Sequence, residues 1–323
     1  MSKTKSNLKN LDIAVLIPCY NEAAAIGDVV HGFQQALPNA AIYVYDNNSI
    51  DNTIEVALLA GAIVRSEKQQ GKGNVVRRMF ADVEADIYVM VDGDDTYNAA
   101  SAPVLIEKMI SENLDMVNGK RVSNAEEAYR PGHKFGNKLL TTLVKTFFGS
   151  GIEDMLSGYK VFSRRFTKSF PSLSSGFEIE TELTVHALEL RMPIAEVDTV
   201  YGSRPEGSES KLSTFADGFR ILRTIAILIM GERPLQFFSS IFGALLVSAL
   251  ILSIPLITTY LETGLVPRLP TAVLITGMTL LSFLSLACGL ILDTVTRGRQ
   301  ELKRLQYLNV PNQLHVDAPD NDD

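Results

Sequence analysis

Residues 87–97 read Ile87-Tyr88-Val89-Met90-Val91-Asp92-Gly93-Asp94-Asp95-Thr96-Tyr97, and the rest of the chain is organised around them. Five apolar residues, several β-branched or aromatic, predict a short buried strand rather than a helix. The strand runs into three carboxylates within four residues, with Gly93 between Asp92 and Asp94. Successive side chains of a strand point to opposite faces. A glycine at the strand end permits a tight turn that breaks this alternation. Asp92 and Asp94 can then converge on one point, where like charges repel unless a cation lies between them. Hard carboxylate oxygens suit Mg²⁺ or Mn²⁺, with substrate phosphates completing the shell. Taken alone, the same acids also fit a solvated turn between a strand and a helix, so the neighbouring segments decide.

Upstream, strand and helix alternate. Leu11–Pro18 reads as a buried strand running into Cys19-Tyr20-Asn21-Glu22, and Ala23–Leu37 has helical spacing stopped by Pro38-Asn39. Ala41–Tyr45 is a second strand, followed by the polar run 46–53, a helix ending at Gly61, and a short strand over 62–66. Gly71-Lys72-Gly73-Asn74 then opens a basic helix carrying Arg77 and Arg78. This alternation predicts a mostly parallel sheet with helices on both faces. Ligands of such sheets bind outside the carboxyl ends of the strands. Three strand ends here are polar or acidic: Asn21/Glu22, Asp46 and Asp92/Asp94. That layout suits a nucleotide site, although neither the Rossmann G-x-G-x-x-G nor the P-loop pattern is present.

Downstream, 102–112 reads as a helix, 115–119 as a strand, 123–136 as a polar loop with Arg130, His133 and Lys134, and 137–148 as an amphipathic helix. Asp154-Met155-Leu156-Ser157-Gly158-Tyr159-Lys160 leads into a further strand, and 176–182 opens a helix whose early acids suit its N-terminus. A basic loop from Arg204 to Lys211 precedes apolar residues spaced three and four apart, with Arg220 and Arg223 beside the stripe. This pattern predicts an interfacial amphipathic helix. Residues 234–261 and 269–292 carry no charge, and each exceeds the roughly 20 residues needed to cross a bilayer. The short connection makes them an antiparallel transmembrane hairpin. Arg220, Arg223 and Arg233 before it and Arg297, Arg299, Lys303 and Arg304 after it, against Arg268 alone in the turn, place both ends in the cytoplasm.

Composition narrows the classes. The chain has 323 residues, 21% charged and 46% hydrophobic, which is globular rather than disordered. Mean hydropathy is slightly positive, in keeping with lipid-embedded segments. A net charge of −7 argues against nucleic acid as the main partner. The two cysteines, Cys19 and Cys288, predict no disulfide, and the four histidines show no zinc spacing. Residues 1–10 are polar and lysine-rich, unlike a signal peptide.

The ordered motifs resemble the inverting glycosyltransferases of family 2 with the GT-A fold, and among them the polyprenyl-phosphate glycosyltransferases of the dolichyl-phosphate mannose synthase type. Ile17-Pro18-Cys19-Tyr20-Asn21-Glu22 looks like I-P-x-x-N-E, residues 46–53 look like D-D-x-S-x-D-x-T, Asp92-Gly93-Asp94 looks like D-x-D, and residues 154–160 look like D-x-x-S-G-[FY]-[RK]. The basic loop 204–211 adds a fifth similarity. Two departures are Asn47 in place of the second acid and glycine at the centre of D-x-D.

The resemblance implies a Rossmann-like, mostly parallel GT-A catalytic domain over 11–205, after a disordered 1–10. A basic loop and interfacial helix (206–233), the hairpin (234–292) and a cytoplasmic tail (293–323) follow. It implies a UDP- or GDP-linked sugar donor contacting Pro18, Tyr20, Asn21, Glu22, Asp46, Asn48, Lys72, Asp92 and Gly93. Mg²⁺ or Mn²⁺ would be held by Asp94, with Asp92 shared. Asp92, Asp94 and Asp154 would be the catalytic candidates, and Arg130, Lys134, Ser157, Arg204 and Lys211 would meet the acceptor or a phosphate. The acceptor would be a polyprenyl phosphate at the cytoplasmic face of the inner membrane, with a homo-oligomer and a separate flippase as associated partners. A hydroxyl acceptor needs a general base, whereas a phosphate monoester, with a second pKa near 6, is already a nucleophile at pH 7. Asp154 and Glu180 are the carboxylates available for positioning an acceptor. A processive polysaccharide synthase is excluded, because its Q-x-x-R-W motif needs a tryptophan and the chain has none. A transferase acting on a hydroxyl-bearing membrane lipid and a non-catalytic membrane scaffold are the alternatives.

Overall fold

The computed structural model describes residues 11–122, 152–176, 178–205 and 229–312, together with the single positions 142, 223, 226 and 227. The chain divides into two compact units, Met1–Ile225 with Lys303–Asp323, and Ala226–Leu302.

In the first unit the described strands are β1 (Ile13–Cys19), β2 (Ala41–Asp46), β3 (Ile63–Ser66), β4 (Ile87–Met90), β5 (Met116–Val122), β6 (Lys160–Ser163) and β7 (Ile194–Val200). They form one sheet in the order β3-β2-β1-β4-β6-β5-β7. Pairing is parallel from β3 through β4 and between β5 and β7, and β6 lies antiparallel between β4 and β5. The expected mostly parallel sheet is therefore present, with one reversed strand inside it. β1 sits in the middle and is apolar throughout, as a strand covered on both faces must be. Its alternate residues enter different cores. Val15 and Ile17 pack with Phe33 of α1 (Ile26–Ala36) and Leu105 of α4 (Ala102–Ser111). Leu16 packs with Met79 of α3 (Lys72–Asp82), Phe166 of α5 (Arg164–Ser169) and Leu183 of α6 (Ile179–Glu189). α2 (Thr53–Leu59) connects β2 to β3. Because β2, β1 and β4 are parallel neighbours, their carboxyl ends lie side by side, bringing Asp46, Cys19–Glu22 and Val91–Asp94 to one edge.

The second unit holds most of two long helices, α7 (Pro234–Thr263, 30 residues) and α8 (Leu269–Asn309, 41 residues). Both are long and apolar enough to cross a membrane, and their apolar windows are almost wholly exposed. Thirty helical residues span about 45 Å. α7 ends at Gly264, whose φ of 65° is the left-handed geometry of a helix C-terminus. The two helices pack as an antiparallel pair: Ser285 Oγ donates to the Phe238 carbonyl at 3.0 Å, and Phe242 meets Phe283 edge to face. A Cβ on Gly289 would lie 2.9 Å from Phe238 Cβ, so the glycine allows the close approach.

α8 continues past the uncharged stretch to Asn309. The cluster of basic residues marks the end of the uncharged stretch, but charge does not stop a helix. Past residue 302 the helix belongs to the first unit. There Lys303 Nζ donates to Glu189 at 2.8 Å, and the Tyr307 hydroxyl donates to Asp115 at 2.6 Å. Arg165 lies over the Tyr307 ring, 4.8 Å from its centroid. Most of the expected interfacial helix, and the polar loop and helix after residue 122, lie outside the described residues.

Candidate active site

The site is assembled on the β2-β1-β4 edge. Cys19, the last residue of β1, is buried, and burial together with Glu22, Asp46, Asp92 and Asp94 pushes its thiol pKa well up. Four carboxylates from three loops thus lie within electrostatic reach of one thiol. Gly93 makes this packing feasible: a Cβ there would lie 2.6 Å from the Cys19 sulfur.

The first loop is cross-stitched to the second. Asn21, at φ 53°, accepts from the Ile50 amide at 2.8 Å, and its own amide donates to Ser49 Oγ at 2.8 Å. The Glu22 amide donates to Thr53 Oγ1 at 2.9 Å, and Glu22 is buried. Pro18 is half-buried, and Tyr20 is exposed beside the loop. Asp46 is buried and takes the Ser49 amide on both oxygens, at 3.2 and 3.3 Å. Asn48, at φ 64°, donates to the Lys68 carbonyl at 2.9 Å. Asn47, the departure from the family pattern, donates to the carbonyls of Glu67 and Gln69 at 2.8 Å each and accepts from the Gly71 amide at 2.7 Å. An aspartate has no N–H to offer those two carbonyls. The amide therefore fastens the segment that delivers Lys72.

At the acidic turn the carboxylates meet cations. Lys72 Nζ lies 2.5 Å from Asp92 and also contacts Glu180. Burial disfavours the Lys72 charge, but Asp92 and Glu180 outweigh it and raise the pKa. Arg204 lies 2.6 Å from Asp94. Asp94 also accepts from the Thr96 hydroxyl at 2.6 Å and from its amide at 3.2 Å. Burial and the neighbouring Asp92 nevertheless raise the Asp94 pKa. Asp92 and Asp94 offer hard carboxylate oxygens of the kind a divalent cation takes, but each faces a cationic side chain here, and no group of three or more metal-ligating side chains occurs among the described residues. Gly158 packs directly on Asp92, because a Cβ there would lie 2.2 Å from Oδ2. Asp95, at φ 56°, is exposed.

Two expected contacts are engaged elsewhere. Ser157 is fully buried and donates to the Gly119 carbonyl at 2.5 Å, which ties down the turn that carries Gly158. Both oxygens of Asp154 face Arg121, at 2.7 Å from Nε and from Nη2. Burial opposes the Asp154 charge, yet Arg121 prevails and holds the carboxyl below its ordinary pKa. Arg130, His133, Lys134 and Lys211 lie outside the described residues.

Other groups take partners that sequence reasoning did not anticipate. The early acids of α6 do not cap it: Glu180 pairs with Lys72, and Glu182 accepts from the amides of Leu173 and Ser174. Lys160 is fully buried and donates to Asn118 at 2.5 Å, while Asn118 also donates to Glu196 at 2.7 Å. Burial lowers the Lys160 pKa to about 8. Its place in the D-x-x-S-G-Y-K stretch was the only available signal.

Comparison with known proteins agrees with this architecture. Residues 14–170 match "Glycosyl transferase family 2". Glycosyltransferase AglJ of Haloferax volcanii is 30% identical over 92% of this chain and 98% of its own length. A dolichyl-phosphate hexose transferase of the same organism is 28% identical over 69% of this chain and 96% of its own. Among solved structures, glucosyl-3-phosphoglycerate synthase from Mycobacterium tuberculosis, in complex with Mn²⁺, UDP and glucosyl-3-phosphoglycerate, superposes with a TM-score of 0.59. That match is 22% identical and covers 69% of this chain and 82% of the other, and it shows the GT-A fold. The match over residues 14–170 and the near full-length similarity to AglJ exclude the non-catalytic scaffold, and the chain belongs to glycosyltransferase family 2.

Proposed function

We propose that the protein is an inverting, metal-dependent transferase that moves a sugar from a UDP- or GDP-linked donor to a polyprenyl phosphate at the cytoplasmic face of the inner membrane. One observation carries the choice of acceptor. The two carboxylates read as available for positioning an acceptor are both bound to a cation, Asp154 to Arg121 and Glu180 to Lys72. A hydroxyl acceptor would need one of them free. A phosphate monoester is already anionic and needs only to be positioned. The similarity to a dolichyl-phosphate hexose transferase supports the same acceptor class.

In this reading Pro18, Tyr20, Asn21, Glu22, Asp46 and Asn48 frame the nucleoside, and Lys72 and Gly93 line the diphosphate. Asp94, with Asp92, would hold Mg²⁺ or Mn²⁺, and such an ion neutralises charge on the leaving nucleoside diphosphate. Arg204, with Arg130, Lys134 and Lys211, would attract the lipid phosphate. Residues 11–205 would form the catalytic domain, 206–233 the interfacial segment and 234–292 the transmembrane hairpin.

The test is a transfer assay. Purified protein, a panel of nucleotide-sugars, Mn²⁺ and a short polyprenyl phosphate should give an alkali-stable, mild-acid-labile glycolipid. Label appearing only in a neutral lipid would favour the hydroxyl-lipid transferase and overturn the acceptor assignment.

A further inference from the structure

Glu180 and Glu182 lie in the first turn of α6, where acids ordinarily serve the helix N-terminus. Here each takes a partner elsewhere instead, Glu180 on Lys72 and Glu182 on residues 173 and 174. Glu180 is buried and its carboxylate accepts from Lys72 Nζ. The two oxygens of Glu182 accept from the amides of Leu173 and Ser174 at 2.7 Å each, which fixes the stretch after α5. That stretch grips the Gly71-Lys72-Gly73 segment through its backbone: the Ser175 carbonyl accepts from the Gly73 amide at 3.0 Å. A Cβ on Gly71 or Gly73 would lie 2.2 Å from the Ser175 or Ser174 carbonyl oxygen, so only glycine fits at either side of Lys72. From the opposite side Asn47 accepts the Gly71 amide.

The lysine is thus held at its backbone by two loops and at its ammonium by two carboxylates. An ammonium has three N–H donors. Two go to Asp92 and Glu180, leaving one for a further anionic oxygen at the edge where the donor is read to bind. Lysine carries its charge on a flexible four-carbon stem, so an unrestrained ammonium would sample many positions. We propose that Glu180 is a positioning residue, which acts through Lys72 to keep the ammonium on Asp92 and aimed at the diphosphate of the nucleotide-sugar, with Glu182 supporting it by fixing residues 173–175. The proposal rests on the reading of this edge as the donor site.

A double-mutant cycle tests it. Glu180→Gln, Lys72→Met and the double variant of the full chain are compared by calorimetric binding of UDP and of GDP in Mn²⁺, a readout that needs no acceptor, together with thermal melting. Glu180→Gln should weaken nucleotide binding about 10-fold, and the double variant should bind no worse than Lys72→Met alone. Glu180→Asp, which keeps the charge, should recover part of the loss. An equal loss from Glu180→Gln with and without Lys72 would overturn the proposal, as would a lowered melting temperature with unchanged binding. If the wild type binds neither nucleotide in Mn²⁺, the donor-site reading itself fails and the proposal falls with it.

Discussion

Replacing Gly158 by alanine isolates the geometry of the acidic turn. The backbone there is free of left-handed strain, and its amide donates to the Tyr97 hydroxyl at 2.8 Å, a bond alanine retains. The only change is the added methyl. It would lie 2.2 Å from Asp92 Oδ2, 2.7 Å from Cγ and 2.9 Å from Oδ1. Non-bonded atoms settle at about 3.5 Å, so the carboxylate must retreat by about 1 Å. Lys72, 2.5 Å from the same carboxylate, must follow or lose it. A misplacement of about 1 Å at a reacting centre costs about 100-fold in rate. Overpacking costs about 1–3 kcal/mol of stability, or about 2–4 °C of melting temperature per kcal/mol for a unit of this size. Gly158→Ala should therefore lower kcat about 100-fold while the protein still folds. Sugar transfer and a thermal melt on the same detergent-solubilised preparation check both halves. A wild-type kcat in the folded variant would refute the claim that Asp92 must sit where Gly158 leaves it.

Three further outcomes follow from separate parts of the chain. Asp94→Ala should reduce transfer by more than about 100-fold while the protein remains in the membrane fraction, and full activity in metal-containing buffer would exclude a metal role. Lys160 has a folded pKa of about 8 against an ordinary 10.5. The unfolded chain therefore binds more protons above pH 8, and stability rises with pH between about 8 and 10.5. That contribution, at most about 1.4 kcal/mol per pH unit, should vanish in Lys160→Met, so the wild-type minus variant difference in urea midpoint should grow over this window. A flat difference would refute the assignment. Tyr307→Phe removes a 2.6 Å hydrogen bond to Asp115 and should cost about 1–3 kcal/mol in urea unfolding with kcat unchanged. An unchanged midpoint would show that the end of α8 does not stabilise the first unit.

How much was legible depended on whether the deciding interaction was local. β1, β2 and β4 are buried runs of apolar residues bounded by turn formers, and the parallel sheet that places Asp46, Glu22 and Asp92 along one edge follows from their alternation with helices. The reversal at β6 was not legible, because antiparallel pairing with β4 and β5 is a tertiary choice that leaves no mark on Lys160–Ser163. Glu180 looked like a helix-end acid because its partner, Lys72, is 108 residues away. Asn47 looked like a weakened copy of an acid, whereas its amide is what ties residues 67–71 to β2. Asp154 and Ser157 drew attention through their motif, but the motif shapes a turn: one is tied to Arg121 and the other to Gly119.

The continuation of α8 beyond its uncharged stretch changes the topology of the protein. The first unit is made of two pieces of chain, Met1–Ile225 and Lys303–Asp323, so the hairpin is an insertion and not an appendage. A protease that cuts once in the turn between Thr263 and Leu269 would make two polypeptides. The C-terminal one would stay attached to the first unit through Tyr307 on Asp115 and Lys303 on Glu189. Such a nicked protein should migrate as two bands in a denaturing gel and as one species in a native one.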